Sequence, residues 1–289
     1  MSWEYRFLKR ELALPADPTL DLFERFSERA YGLMDAMEWS WSFKSGRCRH
    51  NRVFWLGAPG HAGATACHLK WLGRELRFEP AGLDGGLPTW HELLDCHTER
   101  AAVAYAGADP PENRPAALKL YLTLRPQSAS VAQPLLFSLM PRLPHETPLA
   151  SATIVLCYAV YATGEARSRV YLMYNQQHFD APEVSRWLAA AAGERALALS
   201  RSHVRSGISF KNDTTDMLGL GFRPSDTSLR DHPCWWNSPA LDPIFEAAGS
   251  RPLLRQRLDR VSWVTVALSP EALALPMSIP EMNVYVKLD

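Results

Sequence analysis

A two-residue alternation constrains this chain more than any other feature. The segment 118-LKLYLTLRP-126 puts Leu118, Leu120, Leu122 and Leu124 on one face of a strand and Lys119, Tyr121 and Thr123 on the other, and it stops at a proline. The same period runs through 38–44 (EWSWSFK), 52–58 (RVFWLGA), 152–163, 168–175, 206–212, 217–224, 261–270 and 282–288. Most of these segments come in neighbouring pairs, and 152–163 with 168–175 flanks a Thr-Gly turn that reads as a hairpin. Helical spacing predicts helices over 17–31 with Asp17 as N-cap, over 88–105, over 181–199 with Asp180 as N-cap and proline in the first turn, and over 238–248. The glycine-rich stretch 57–65 lacks the lysine of a phosphate-binding loop and reads as a turn. Roughly ten strands in antiparallel pairs, with a helix after every one or two pairs, are neither β-α-β alternation nor an all-β sandwich. The expected fold is α+β: a single antiparallel ten-stranded β-barrel surrounded by α-helices, with residues 1–289 as one domain.

Charge narrows the function. Lys plus Arg and Asp plus Glu both number 31, so the formal net charge is zero, which argues against a nucleic-acid binder that works through a bulk positive field. Five cysteines (Cys48, Cys67, Cys96, Cys157, Cys234) are widely spaced and contain no C-x-x-C, which disfavours a disulfide framework or a zinc ribbon. The first residues lack a signal-peptide core, and the longest apolar run, 152–162, falls short of the ~18 residues that span a bilayer. The expectation is a soluble, cytoplasmic protein with no membrane span.

The polar faces of the strands share one chemistry. They read Glu38/Ser40/Ser42, Lys119/Tyr121/Thr123, Arg169/Tyr171/Met173, Ser209/Lys211, Trp263/Thr265/Ala267 and Asn283/Tyr285/Lys287, with Arg52 opening the second strand. A sheet with one wet face is the commoner architecture, but a wet face usually mixes both signs of charge so that cross-strand ion pairs form. These faces carry several cations, one carboxylate and repeated tyrosines. Closed into a barrel, the cations would share a lumen, and buried cations need a polyanion. A diphosphate matches a Lys/Arg cluster, and aromatic faces stabilise a nearby cation by ~0.5–2 kcal/mol. Both together suit ionisation of an allylic diphosphate: the carbocation lies among rings and the leaving group stays with the cations.

At this point the sequence resembles the aromatic prenyltransferases with the ABBA barrel. The pattern E-x-S-x-S over 38–42 followed by NR-x-F-x-L-G over 51–57 is similar to the cyanobactin branch, which prenylates ribosomal cyclic peptides. The resemblance covers the chain from about Glu38 to Lys287. It implies that Glu38 is the catalytic glutamate, that Arg52, Lys119, Arg169, Lys211 and Lys287 bind diphosphate, and that Tyr121, Tyr171 and Tyr285, with Tyr174 as a further candidate, shield the carbocation. Arg167 is an alternative to Arg169. Trp263, Met173 and Ser209 fall in the acceptor or prenyl pocket. It further implies a dimethylallyl or geranyl diphosphate co-substrate, a cyclic peptide acceptor, and chemistry that requires no metal, Mg2+ included. The alternatives are a small aromatic acceptor on the same fold, and a barrel that carries an isoprenoid diphosphate without catalysis.

Other motifs weigh less. The string 212-NDTTD-216 is similar to magnesium-diphosphate motifs, but those sit on helices, whereas this one lies between strands and reads as a turn. His50, His61, His68 and Cys67 match no standard zinc spacing. Trp235 and Trp236 read as core. There is no G-x-S-x-G, nor a G-x-G-x-x-G after a strand.

Overall fold

A computed structural model describes residues 16–44, 47–58, 61–75, 101–109, 117–124, 136, 140, 143–161, 163, 165–201, 203, 205–211, 217–223, 261–267 and 281–288. Ten strands run β1 (Met34–Lys44), β2 (Arg47–Gly57), β3 (Ala101–Asp109), β4 (Ala117–Leu124), β5 (Thr153–Tyr161), β6 (Ala166–Asn175), β7 (Arg205–Lys211), β8 (Met217–Arg223), β9 (Val261–Ala267) and β10 (Glu281–Leu288). Each pairs antiparallel with its sequence neighbours, and β1 pairs with both β2 and β10, so the sheet closes in the order β1-β10-β9-β8-β7-β6-β5-β4-β3-β2. Closure removes the unpaired edges that an open sheet would present.

Closure also divides every strand between two environments. The outer face carries the bulk: Trp39, Trp55, Leu118, Val170, Leu172 and Ile208 are 1% exposed or less. Helix α1 (Pro18–Arg29) covers part of it. Its first turn is capped as its sequence requires, with the Asp17 carboxylate accepting from the backbone N–H of Thr19 at 2.8 Å and of Leu20 at 3.2 Å. Its apolar stripe is Leu20, Phe23 and Phe26, all fully buried, and the Phe26 ring meets Trp55 edge-on at 5.1 Å. Helix α2 (Ala62–Glu75) follows β2, and helices α3 (Pro182–Ala192) and α4 (Glu194–Arg201) follow β6. Trp187 of α3 lies 6.2 Å from Phe210 and 6.1 Å from Tyr174, so α3 covers the outer face of β6 and β7.

The structure corrects the sequence reading in several places. Residues 101–105, read as the end of a helix, belong to β3: alanine favours a helix locally, but pairing with β2 and β4 decides the conformation. The glycine-rich segment 57–65, read as a turn, runs into α2 from Ala62. The single helix read over 181–199 is two, broken at Gly193, whose φ of +85° lies in the region that a β-carbon disfavours. Asp180 is not an N-cap: it ends a 3-10 turn, and Ala181 precedes α3 with no side-chain cap. The expected helix over 238–248, the 212–216 string and Trp235–Trp236 lie outside the described residues. Among the described residues, no helix is long and apolar enough to cross a membrane, and no group of three His, Cys, Asp or Glu is placed to hold a metal.

Candidate active site

In an antiparallel sheet, residues opposite one another point to the same side. Glu38 lies opposite Lys287 and Phe54, and Ser40 opposite Tyr285 and Arg52. Phe54 lies opposite Gly107, which lies opposite Lys119. Tyr121 lies opposite Cys157, Cys157 opposite Arg169, and Arg169 opposite Lys211. Tyr171 faces Ser209, and Tyr285 faces Trp263. The register thus gathers Glu38, Arg52, Lys119, Tyr121, Arg169, Tyr171, Met173, Ser209, Lys211, Trp263, Tyr285 and Lys287 on one continuous inner face. The face 119/121/123 looks inward: Lys119 is 4% exposed and Tyr121 6%.

Tyr174 is the exception. One residue on from Met173, it points outward, fully buried against Phe179, His178 and Trp187, and its hydroxyl donates to the Pro148 carbonyl at 3.3 Å. It is packing under α3 and cannot shield anything in the lumen. Arg167 shares the face of Arg169, opposite Ala159, but lies near the end of β6, exposed and bonded to Glu165 at 2.6 Å, whereas Arg169 is the less exposed of the two.

The aromatic groups form a connected wall. Phe54 lies 5.7 Å from Tyr285 and 5.3 Å from Tyr121, and Tyr121 lies 6.2 Å from Tyr171. Phe54 is the member that sequence reading missed. Its signal was present, because a strand that turns Arg52 inward turns Phe54 inward two residues later. The Arg52 guanidinium sits 5.3 Å from the Phe54 ring centre. Strand β3 was missed too, and with it Gly107, where a β-carbon would come within 3.2 Å of Phe54 and 3.4 Å of the Arg52 stem.

Charge in the lumen falls into two groups. At one, Arg52 lies close enough to Arg169 to act on its charge, Lys119 is buried on the same inner face, and position 211 pairs with Arg169 in register. Burial works against the Arg169 charge, while Tyr171, Cys157 and Tyr121 favour it and Arg52 opposes it. Cations near enough to oppose each other suit an anion carrying several charges. Burial also pushes the Tyr171 hydroxyl up to about 12, so that ring is neutral at ordinary pH. The second group surrounds Glu38. Burial lifts its carboxyl above the usual range, and the Ser262 hydroxyl and the Lys287 charge pull it back. Lys287 stands apart from the other cations: its ammonium lies 3.7 Å from Asp35 and its side chain is 38% exposed.

Between the groups, Trp263 lies across a glycine strip. A β-carbon on Gly221 would be 2.4 Å from the indole Nε1, and one on Gly207 would be 2.7 Å from the Met173 sulfur and 3.0 Å from the indole. Ser209 donates its hydroxyl to the Gly219 carbonyl at 3.3 Å and is tied to the wall.

Solved structures share this fold. The chain matches 5-dimethylallyltryptophan synthase from Streptomyces coelicolor with a TM-score of 0.58 at 16% identity, over 98% of this chain and 95% of that one. The chain is an ABBA barrel. A 6-dimethylallyl tryptophan synthase matches this ABBA barrel with a TM-score of 0.56 at 15% identity, over 96% of this chain and 92% of that one. NotF, solved in complex with brevianamide F and DMSPP, gives 0.51 at 13% identity, over 97% and 90%. No protein-family model matches the sequence, and no curated protein matches it by sequence.

Proposed function

We infer that this ABBA barrel is a prenyltransferase, the whole chain forming one catalytic unit, that moves an allylic group from its diphosphate to an aromatic acceptor. The observation that carries the reading is the juxtaposition of buried Arg52 and Lys119 and half-buried Arg169 with the ring wall Tyr285–Phe54–Tyr121–Tyr171 on one inner face. The cations hold diphosphate. As the allylic C–O bond breaks, its electron pair leaves with diphosphate and the carbocation forms among the rings, whose faces stabilise positive charge. The acceptor's π or lone-pair electrons form the new C–C or C–X bond, and the proton it releases goes to the Glu38 carboxylate. The steps assigned here need no metal, since the cations of the wall neutralise the leaving group.

A tryptophan-sized acceptor is favoured over the macrocyclic peptide that the sequence resemblance implies, because two structures sharing the fold are dimethylallyltryptophan synthases by name. The cyanobactin resemblance remains the reason to include peptides in the test. The purified protein is offered dimethylallyl or geranyl diphosphate in EDTA, with tryptophan, small indoles and phenols, and cyclic peptides, and products are weighed. Gain of one C5H8 or C10H16 unit on an aromatic acceptor is expected. Gain on a macrocyclic peptide alone would restore the peptide reading, and diphosphate binding without any product would favour a carrier.

A further inference from the structure

Two β-bulges sit beside Glu38, and both supply groups to it. In β1, Met34 pairs with Gly57 and Ala36 with Leu56, so Asp35 is an extra residue against β2. In β9, Trp263 pairs with Tyr285 and Val261 with Val286, so Ser262 is an extra residue against β10. A bulge redirects the side chain it carries. Here the Asp35 carboxylate comes within 3.7 Å of the Lys287 ammonium, and the Ser262 hydroxyl reaches Glu38. The Ser262 hydroxyl also donates to the Tyr285 carbonyl at 3.3 Å, so its one proton has two acceptors to serve. Lys287 itself stands opposite Glu38 in the β1–β10 register.

The remaining cations are elsewhere. Arg52 opposes the charge of Arg169 and faces Ser40, while Lys119 pairs with Gly107 and position 211 with Arg169 in the registers of β4 and β7. Among the described residues, the charged or titratable groups facing Glu38 are Lys287 and Tyr285 from β10, Arg52 from β2 and Asp35 from its own strand. Lys287 is the cation whose charge acts on Glu38.

We propose that Lys287, shared between Asp35 and Glu38, is a positioning residue that keeps Glu38 in its proton-accepting form, and that it holds no diphosphate. This rests on the prenyl-transfer reading for its consequence in catalysis, but not for its geometry. Asp35 and Lys287 have opposite influences. Removing the ammonium leaves the desolvated carboxylate with less support, so it protonates at higher pH. Removing Asp35 takes away a negative charge and leaves the ammonium to Glu38 alone, so it protonates at lower pH.

The test uses the full chain with Lys287→Met, Lys287→Arg, Asp35→Asn and, as control, Lys119→Met. Inorganic pyrophosphate is titrated by calorimetry. Lys287→Met is expected to bind within about twofold of the parent, whereas Lys119→Met weakens binding about tenfold or more. The acid limb of the kcat profile is expected to move to higher pH in Lys287→Met, to lower pH in Asp35→Asn, and to return towards the parent in Lys287→Arg. A tenfold loss of pyrophosphate affinity in Lys287→Met would overturn the proposal and return Lys287 to the donor site. Shifts of the same sign in Lys287→Met and Asp35→Asn would also overturn it. If no acceptor is prenylated, the transfer reading fails by itself. The titration of Glu38, followed by carbon-13 carboxyl resonances with Glu38→Gln as the assignment, then reads the same opposite shifts without turnover. Should Lys287→Met not fold, Asp35→Asn and Lys287→Arg carry the comparison.

Discussion

At the scale of single residues, Glu38 carries the sharpest expectations. Glu38→Gln keeps the shape of the side chain and removes the proton acceptor, so turnover is expected to fall by about tenfold or more, ~1.4 kcal/mol in barrier, while pyrophosphate affinity holds. Retained turnover would remove Glu38 from the reaction. Stability gives a second readout. Burial raises this carboxyl, so its neutral form is the one the fold favours. That favour is fully present below the pKa of an unfolded glutamate and is lost as pH rises through the raised value. Thermal melts of Glu38→Gln against the parent should therefore diverge in favour of the variant as pH increases from 5 towards 8. A constant difference would mean that the carboxyl is not raised. The indole of Trp263 occupies the space above Gly207 and Gly221, which makes it the proposed limit on donor length. Trp263→Ala is expected to improve use of geranyl over dimethylallyl diphosphate in a competition assay read by product mass. Gly221→Ala should cost about 1–3 kcal/mol in urea unfolding, because its β-carbon and the indole overlap.

At the scale of elements, strands were more legible than helices. Alternation of period two shows in sequence because inner and outer faces differ so sharply: Lys119, Tyr121 and Thr123 against a leucine ladder. Once the alternation was read, most inward residues of a strand came with it, Phe54 excepted, and pairing placed those residues on one surface. The readings that failed did so where local preference and pairing disagree. Strand β3 is mostly small residues, AAVAYAGAD, which carry little strand signal until β2 and β4 flank them. Helix α2 contains glycines that mask its helical pattern, and α3 and α4 looked continuous because Gly193 is a single residue within alanine-rich sequence. Tyr174 was misplaced for another reason: the adjacent residues Met173 and Tyr174 point opposite ways, and only the register chooses. Lys287 was legible as an inward cation but not as a partner of Asp35, because bulges leave no mark on composition. Element packing supplies its own prediction. Phe26 of α1 is fully buried on Trp55, so Phe26→Ala should cost about 3–5 kcal/mol in chemical unfolding, far more than Asp17→Ala at the cap, about 1 kcal/mol. Equal costs would mean that α1 is held by its own turn and not by the barrel.

At the scale of the whole molecule, the fold turns one sheet into an enclosure whose wall is made by residues far apart in sequence. Arg52 and Arg169 are like charges that act against each other on the inner face, a repulsion that an anion would relieve. Inorganic pyrophosphate should therefore raise the melting temperature, by about 2.7 kcal/mol of added stability at one hundred times its dissociation constant. Lys119→Met should reduce that gain. An unchanged gain would place the anion somewhere other than the inner face.

The seam between β1 and β10 has a consequence for how the protein is made. Glu38 and Lys287 meet only when a strand from near the start of the chain pairs with one from near its end. On the ribosome, β1 emerges early and has β2 beside it, but its other edge waits for β10 to be synthesised. Until then the growing sheet is open on that side, with a row of unpaired amides and carbonyls and a half-built interior. Pairing over so long a loop is slow, and exposed edges aggregate in the meantime. Nascent chains stalled before residue 281 should therefore associate with chaperones and bind no pyrophosphate tightly, whereas release of β10 closes the wall and completes the reactive centre in one event.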